Sequence, residues 1–394
     1  MQKERIRNIV LYAAICIASI IMIMPSGCLF EPMNKVGDIF YPSSINLFQN
    51  ENYYEIKTDE LTVPVIPEQL KSPYEKKPSG LSNSFPGFEI SSYYYYTPFY
   101  EGSENIVSVY IKNNGENQVF LYGFGFLVME EEEELFTRDI GITVNPGEEK
   151  RVGIISLNIA QDIEEIKLQP LLSLLAKDES QKWHDYRKQY FEVINIDVCA
   201  MQSMQTPAYR KNPENIFIQM NSKIEPFDLE VRKMAAESAI KYPGQYNIYQ
   251  ICSLFDDTKE KIQYISDPRG KDLWSPPSDT LAVGAGDCED YAILLASLIE
   301  SIGGTSRIYL TDSHAFAAVY IGNNNTEAIA NAIGEYYGSV PIYYTTDEYG
   351  SWLMMDPTSS IYAGGLPGGT APTDDTWTFL DTNTVIVIDI APQT

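Results

Sequence analysis

Apolar and polar positions along this chain change their spacing three times, and each change predicts a different kind of element. Ile9 to Met24 is a sixteen-residue apolar stretch behind Lys3, Arg5 and Arg7. Residues 31 to 88 show no sustained period of 2 or 3.6 and carry Pro32, Pro42, Pro64, Pro67, Pro73, Pro78 and Pro86, which predicts an extended, semi-stiff tether. From 89 the pattern alternates: Val107, Val109 and Ile111 against Ser108 and Tyr110, a turn at Asn113 to Asn117, then Val119 to Val128. That is a hairpin signal, and Val152 to Leu157 and Tyr190 to Val198 continue the series. Short strands at these intervals predict an antiparallel β-sandwich over 89–199.

Beyond Cys199 the period becomes helical. Pro226 to Tyr242 and Ile248 to Ile265 repeat apolar residues every three or four positions, with Pro226 suited to a first helical turn. Ile293, Leu294, Leu298, Ile299 and Ile302 predict a third helix, stopped by Gly303-Gly304. Strand-type residues follow at Arg307 to Leu310, at His314 to Ile321 and at Trp352 to Asp356, where Pro357 ends pairing. Asn323 to Gly350 between them reads as an inserted hairpin or loop. The second domain, residues 200–394, is therefore α+β.

Charge and cysteine usage narrow what such a chain can do. A net charge of −26 argues against binding a phosphate backbone, so nucleic acid is excluded as a partner. Five cysteines at 16, 28, 199, 252 and 288, with His184 and His314, give neither a disulfide scaffold nor a spaced zinc cluster. His184, among charged neighbours, reads as a surface histidine, and Glu130 to Glu134 as a solvated acidic segment. Cys199 and Cys252 could bridge the two domains in an oxidising exterior. The first apolar run would span about 24 Å as a helix, short of roughly 30 Å of hydrocarbon, which favours a signal segment over a comfortable span. Pro25-Ser26-Gly27-Cys28 after it resembles a lipoprotein processing site, with Cys28 lipidated; the alternative is an uncleaved anchor. Both readings place the rest of the chain outside the cytoplasm, tethered to the membrane through residues 1–28 and the linker 29–88.

The chemistry-bearing stretch is Gly286-Asp287-Cys288-Glu289-Asp290. Asp287 is a natural N-cap, and Asp290 three positions on imitates a capping box, so Cys288 falls in a first helical turn. Free backbone amides and the positive helix end favour a thiolate there; Asp287 and Glu289 oppose it, so a cationic partner is required. If the last two strands pair, His314 and Asp356 share a face and supply an imidazole oriented by a carboxylate.

Gly286 to Ala292, Ser313-His314-Ala315-Phe316 and Trp352 to Thr358 together resemble, in order, the three signatures of the transglutaminase-like superfamily. Trp274-Ser-Pro-Pro and the Gly-Asp-Cys-Glu-Asp-Tyr-Ala-Ile wording are closer to its bacterial and archaeal cysteine proteinases than to animal crosslinking enzymes. The resemblance implies a papain-like α+β catalytic domain behind the sandwich, itself similar in pattern to immunoglobulin-like accessory domains. It implies Cys288 as nucleophile, His314 as general base and acid, and Asp356 as its orienter. Trp274 becomes an oxyanion donor or a packing residue, with the Cys288 amide as the other donor. Calcium at Asp287, Glu289 and Asp290 is an added ligand reading, against plain capping and solvation; no cofactor is required. The implied activity is a cysteine peptidase or amidase acting on a protein or peptide substrate. A protein-crosslinking transglutaminase and a non-catalytic surface module of the same fold are the alternatives.

Overall fold

A computed structural model describes residues 61–66, 75, 77–78, 87–129, 133–136, 140–267, 273–374 and 376–391. The N-terminal apolar run, Cys28, most of the proline-rich segment and Glu130 to Glu132 lie outside these residues. No helix among the described residues is long and apolar enough to cross a membrane.

The first half is built from strands alone: β1 (Ile90–Tyr96), β2 (Phe99–Tyr100), β3 (Glu104–Asn113), β4 (Val119–Val128), β5 (Glu133–Phe136), β6 (Ile142–Val144), β7 (Glu149–Asn158), β8 (Glu165–Lys177), β9 (Trp183–Tyr190) and β10 (Ile194–Cys199). One sheet runs β1-β3-β7; the other runs β2-β10-β8-β4-β5, with β6 paired to β4 and β9 to β8. Alternation aims Val107, Val109 and Ile111 of β3 and Leu172 and Leu174 of β8 into one core with Phe124 and Phe126. His184 corrects the surface reading: it is 0% exposed, and its Nε2 lies 2.8 Å from Asp178 Oδ2. Pairing of β9 with β8 turns this histidine inward among apolar residues, where a hydrogen-bond partner is needed.

The second half contains β11 (Ala208–Lys211), α1 (Glu214–Asn221), α2 (Leu229–Ala239), α3 (Ile248–Lys261), β12 (Gln263–Tyr264), α4 (Pro277–Val283), β13 (Ala285–Gly286), α5 (Cys288–Ser301), β14 (Ser306–Leu310), β15 (Ala315–Gly322), α6 (Thr326–Tyr337), β16 (Tyr344–Asp347), β17 (Gly350–Met355), β18 (Thr370–Pro372), β19 (Trp377–Phe379) and β20 (Thr384–Asp389). Its main sheet is ordered β11-β20-β14-β15-β17-β16. The class is α+β, a β-sandwich followed by a mixed helical and sheet domain.

Helix α5 holds the centre. Ala292, Ile293 and Ala296 meet Ile308 and Leu310 of β14, Ala315 of β15 and Ile388 of β20, while Leu294, Leu295, Leu298 and Ile299 meet α2 and α3. Ile293, Leu294, Leu295, Leu298 and Ile299 are fully buried. At roughly 2 kcal/mol per side chain they contribute on the order of 10 kcal/mol gross, enough to fix the helix start in one place.

Four further expectations need correction. Helix α2 starts at Leu229 with Asp228 as its cap, accepting from the Glu230 and Val231 amides, so Pro226 precedes the helix. Residues 323–350 form helix α6 and strand β16 instead of a simple hairpin or loop, because Ile329, Ala332 and Ile333 at helical spacing find an apolar seat. Cys199 and Cys252 are both free thiols, one exposed and one in the core of α3, and do not pair. Part of the proline-rich segment is docked rather than extended: Val63 and Ile66 are buried with the α3 core, and Pro64 O accepts from the Ile248 amide at 3.3 Å.

Candidate active site

Cys288 is the first residue of α5 and is 3% exposed. The Asp287 side chain caps the helix by accepting from the Asp290 amide at 3.4 Å. The Cys288 side chain shares an apolar cluster with Ala292, Leu310 and Ala315, and half-buried Trp274 packs against the same cluster. His314 immediately precedes Ala315, so packing of α5 on β14 and β15 brings the thiol, the histidine segment and the indole to one end of the sheet.

His314 is fixed on its backbone by Thr311, whose Oγ1 accepts from the His314 amide at 2.9 Å and whose own amide donates to His314 O at 2.8 Å. Its ring Nε2 lies 2.7 Å from Asp356 Oδ2. Antiparallel pairing of Ala317 with Met355 carries both residues to the same end of β15 and β17. Nδ1 is then the ring nitrogen chemically suited to exchange a proton with a thiol.

Asp356 is 1% exposed, and both of its oxygens are engaged. Oδ1 accepts from the Thr358 amide (3.0 Å), the Thr358 hydroxyl (2.6 Å) and the Ser359 amide (3.3 Å). Oδ2 accepts from the Gly368 amide at 2.8 Å besides His314. Burial pushes this carboxyl up, yet the His314 charge and these donors outweigh it and hold the value down at about 2. It is an anion at neutral pH, a fixed negative charge against the His314 ring.

The three other acidic neighbours divide their work. Burial, with Glu289, Asp290 and Asp267 nearby, pushes Asp287 up to about 8. Asp290 is raised mainly by burial and accepts from the Ser275 amide at 2.8 Å, which ties the Trp274 segment to the start of α5. Glu289 Oε2 lies 2.9 Å from Cys288 Sγ, the geometry of a thiol donating to a carboxylate. Among the described residues no group of three His, Cys, Asp or Glu side chains is arranged to hold a metal ion. The structure thus brings Cys288, His314, Asp356 and Trp274 into one region and assigns Asp287 and Asp290 to capping and anchoring, while Cys28 is outside the described residues.

Sequence reading missed Gly368, Thr358 and the Glu289 contact. A signal for the first existed in the glycine-rich Gly364-Gly365-Leu366-Pro367-Gly368-Gly369, since runs of glycine mark close backbone approach. A Cβ on Gly368 would stand 2.9 Å from His314 Nε2 and 2.5 Å from Ser359 Oγ.

Comparison with known proteins adds the following. No curated protein matches the chain. Similar solved structures include a candidate cysteine protease from Cytophaga hutchinsonii, at 13% identity over 77% of this chain and 90% of that one, with a TM-score of 0.24. A candidate protease from Parabacteroides distasonis is 10% identical over 58% of this chain and 64% of that one, with a TM-score of 0.23. A CARDB domain from Pyrococcus furiosus is 11% identical over 32% of this chain and all of that one (100%), with a TM-score of 0.19. Residues 235–357, which span α3, α5 and the strands β15 and β17 that His314 and Asp356 flank, match the Transglutaminase-like superfamily. The chain therefore carries a transglutaminase-like superfamily domain behind its β-sandwich.

Proposed function

We propose that this protein is an exported, membrane-tethered cysteine peptidase or amidase that works through Cys288, His314 and Asp356 on protein or peptide substrates at the cell surface. The observation that carries this reading is the 2.7 Å bond from His314 Nε2 to a buried Asp356 whose remaining acceptor sites are filled by backbone and hydroxyl donors. A carboxylate bonded in this way keeps the imidazole in one orientation and stabilises its charged form.

In the proposed reaction the Cys288 thiol gives its proton to His314 Nδ1, and the sulfur attacks the amide carbonyl. The oxyanion is met by the Cys288 amide at the start of α5, where helix N–H groups lack intrahelical partners, and by the Trp274 indole N–H. The His314 imidazolium protonates the leaving amine, the C–N bond breaks, and a thioester remains on Cys288. Water then loses a proton to His314, adds to the thioester and releases the acid and the thiol. No step calls for a metal ion, and calcium at the acidic helix start would act on folding or substrate access only. The negative net charge supports a peptide substrate over nucleic acid. The membrane tether, by Cys28 lipid or by an apolar anchor, rests on the N-terminal sequence alone.

The test is incubation of fluorescein-labelled casein with the full chain and with Cys288→Ala, with and without a fluorescent primary amine. Peptide release that disappears in Cys288→Ala supports hydrolysis. Cys288-dependent incorporation of the amine with no release would instead make the enzyme a crosslinker, and inactivity in both assays would favour the non-catalytic module.

A further inference from the structure

The Asp356 carboxylate begins a turn that returns to it through Gly368, and that turn is fastened at two backbone carbonyls by cations from elsewhere in the chain. Lys259, on α3, donates from Nζ to Pro357 O at 2.7 Å, one residue beyond Asp356. Arg151, on β7 of the sandwich, donates from Nη2 to Ile361 O at 3.4 Å. Arg151 is itself held by Asp256 (Nη1 to Oδ1, 3.6 Å), three residues before Lys259 on α3, and lies 5.3 Å from the centre of the Tyr337 ring. Asp256 also accepts from the Tyr336 and Tyr337 hydroxyls of α6, at 3.1 and 3.0 Å. The strand carrying Arg151 is irregular there: Val109 pairs with Gly153 and Tyr110 with Arg151, so Val152 is an extra residue. Such a bulge re-aims neighbouring side chains. The second domain is close enough that a Cβ on Gly338, after α6, would stand 3.1 Å from Ile154 O of β7.

We propose that Lys259 and Arg151 are positioning residues for the Asp356 carboxylate, which makes the β-sandwich a working part of the acyl-transfer site rather than a spacer. The proposal rests on the Cys288-His314-Asp356 reading given above. Neither cation touches the substrate or the thiol; each sets where the Asp356 turn sits, and through it the angle at which the carboxylate meets His314. Misplacing an orienting group weakens the pair formed between thiolate and imidazolium. The charged groups around Lys259 are Asp356 on the turn, Asp256 on its own helix and Arg151 from β7, with Tyr110 of β3 and Glu260 beyond them. Burial pulls the Lys259 ammonium down to about 8 against the attraction of Asp356. Its bond to Pro357 O is therefore charge-assisted at neutral pH and weakens as the pH rises through that value.

The experiment measures the rate at which iodoacetamide labels Cys288 in the full chain, resolved from the other cysteines by peptide mass spectrometry. At pH 6, Lys259→Met and Arg151→Gln should each label about tenfold more slowly than wild type, within the roughly hundredfold loss that a small misplacement of reacting groups can cause. Buried Cys252 is the folding control and should stay unlabelled in all proteins; where Lys259→Met exposes it, Arg151→Gln decides. The wild-type advantage over Lys259→Met should narrow above pH 8, and Lys259→Arg, which keeps its charge, should hold its own advantage there. Wild-type labelling that is fast but unchanged in both variants overturns the positioning role alone. Wild-type Cys288 labelling no faster than exposed Cys199 overturns the catalytic reading, and this inference with it.

Discussion

Replacing Asp356 with Asn removes one negative charge and one acceptor while keeping the shape, and the hydrogen bonds around it show what must break. The carboxylate accepts on both oxygens: from Thr358 and Ser359 on one, from His314 and Gly368 on the other. An asparagine amide has a single accepting oxygen. If that oxygen faces His314, its NH2 meets the Thr358 and Ser359 donors; if it faces them, the NH2 meets His314 Nε2 and the Gly368 amide. Either way a donor is left facing a donor in a site that is closed to water, a cost of about 1–3 kcal/mol. The lost charge adds to this. The His314 charge and the surrounding donors hold the Asp356 carboxyl well below its ordinary value, at about 2, so the fold prefers the anion. A hydrogen bond to a charged group contributes about 1.5–3 kcal/mol, so losing the carboxylate opposite the imidazolium lowers the population of a thiolate-imidazolium pair by roughly ten- to a hundredfold. Asp356→Asn should accordingly label with iodoacetamide at pH 6 roughly ten to a hundred times more slowly at Cys288. Its melting curve should also lose one acid-side feature. Because the folded-state value is depressed, the wild-type carboxylate stabilises the fold above about pH 4 and ceases to do so as the pH falls through about 2. Asp356→Asn labelling within twofold of wild type, with an unaltered melting temperature at neutral pH, would refute the orienting role.

Gly368→Ala should cut turnover at least tenfold while leaving most of the stability, since the added methyl lands 2.9 Å from His314 Nε2 and overpacking costs about 1–3 kcal/mol; activity with a chromogenic amide and a melting curve check both. Asp287→Asn should flatten the pH dependence of melting. With a folded-state value of about 8 above the unfolded 3.8, protonated Asp287 stabilises the fold fully below about pH 4, and that contribution is lost as the pH rises to and through 8; a wild-type curve with no decline between about pH 4 and 8 beyond that of the variant argues against it. His184→Ala should destabilise the sandwich by about 1–3 kcal/mol in urea without changing Cys288 labelling, as Asp178 loses its buried partner.

Local pattern carried a good deal of this protein. The alternation of Val107, Val109 and Ile111 and the Asp287 cap before an apolar helix are short-range features that spacing alone encodes, while the ordered motifs around Cys288, His314 and Asp356 were legible through the family resemblance they carry. The class of each domain followed, because a residue period of 2 or 3.6 fixes which face is apolar before any long-range contact forms. What spacing could not decide is which surfaces meet. His184 became buried only when β9 paired with β8, and Thr326–Tyr337 became a helix only because the α3 core offered Ile329 and Ile333 a seat. The same holds at the site. Asp356 is oriented by Gly368, Lys259 and Arg151, which stand 12, 97 and 205 positions away along the chain. Hydrogen bonds between such distant residues leave no periodic trace in sequence, because they depend on how two domains and a returning turn are packed rather than on the order of neighbours.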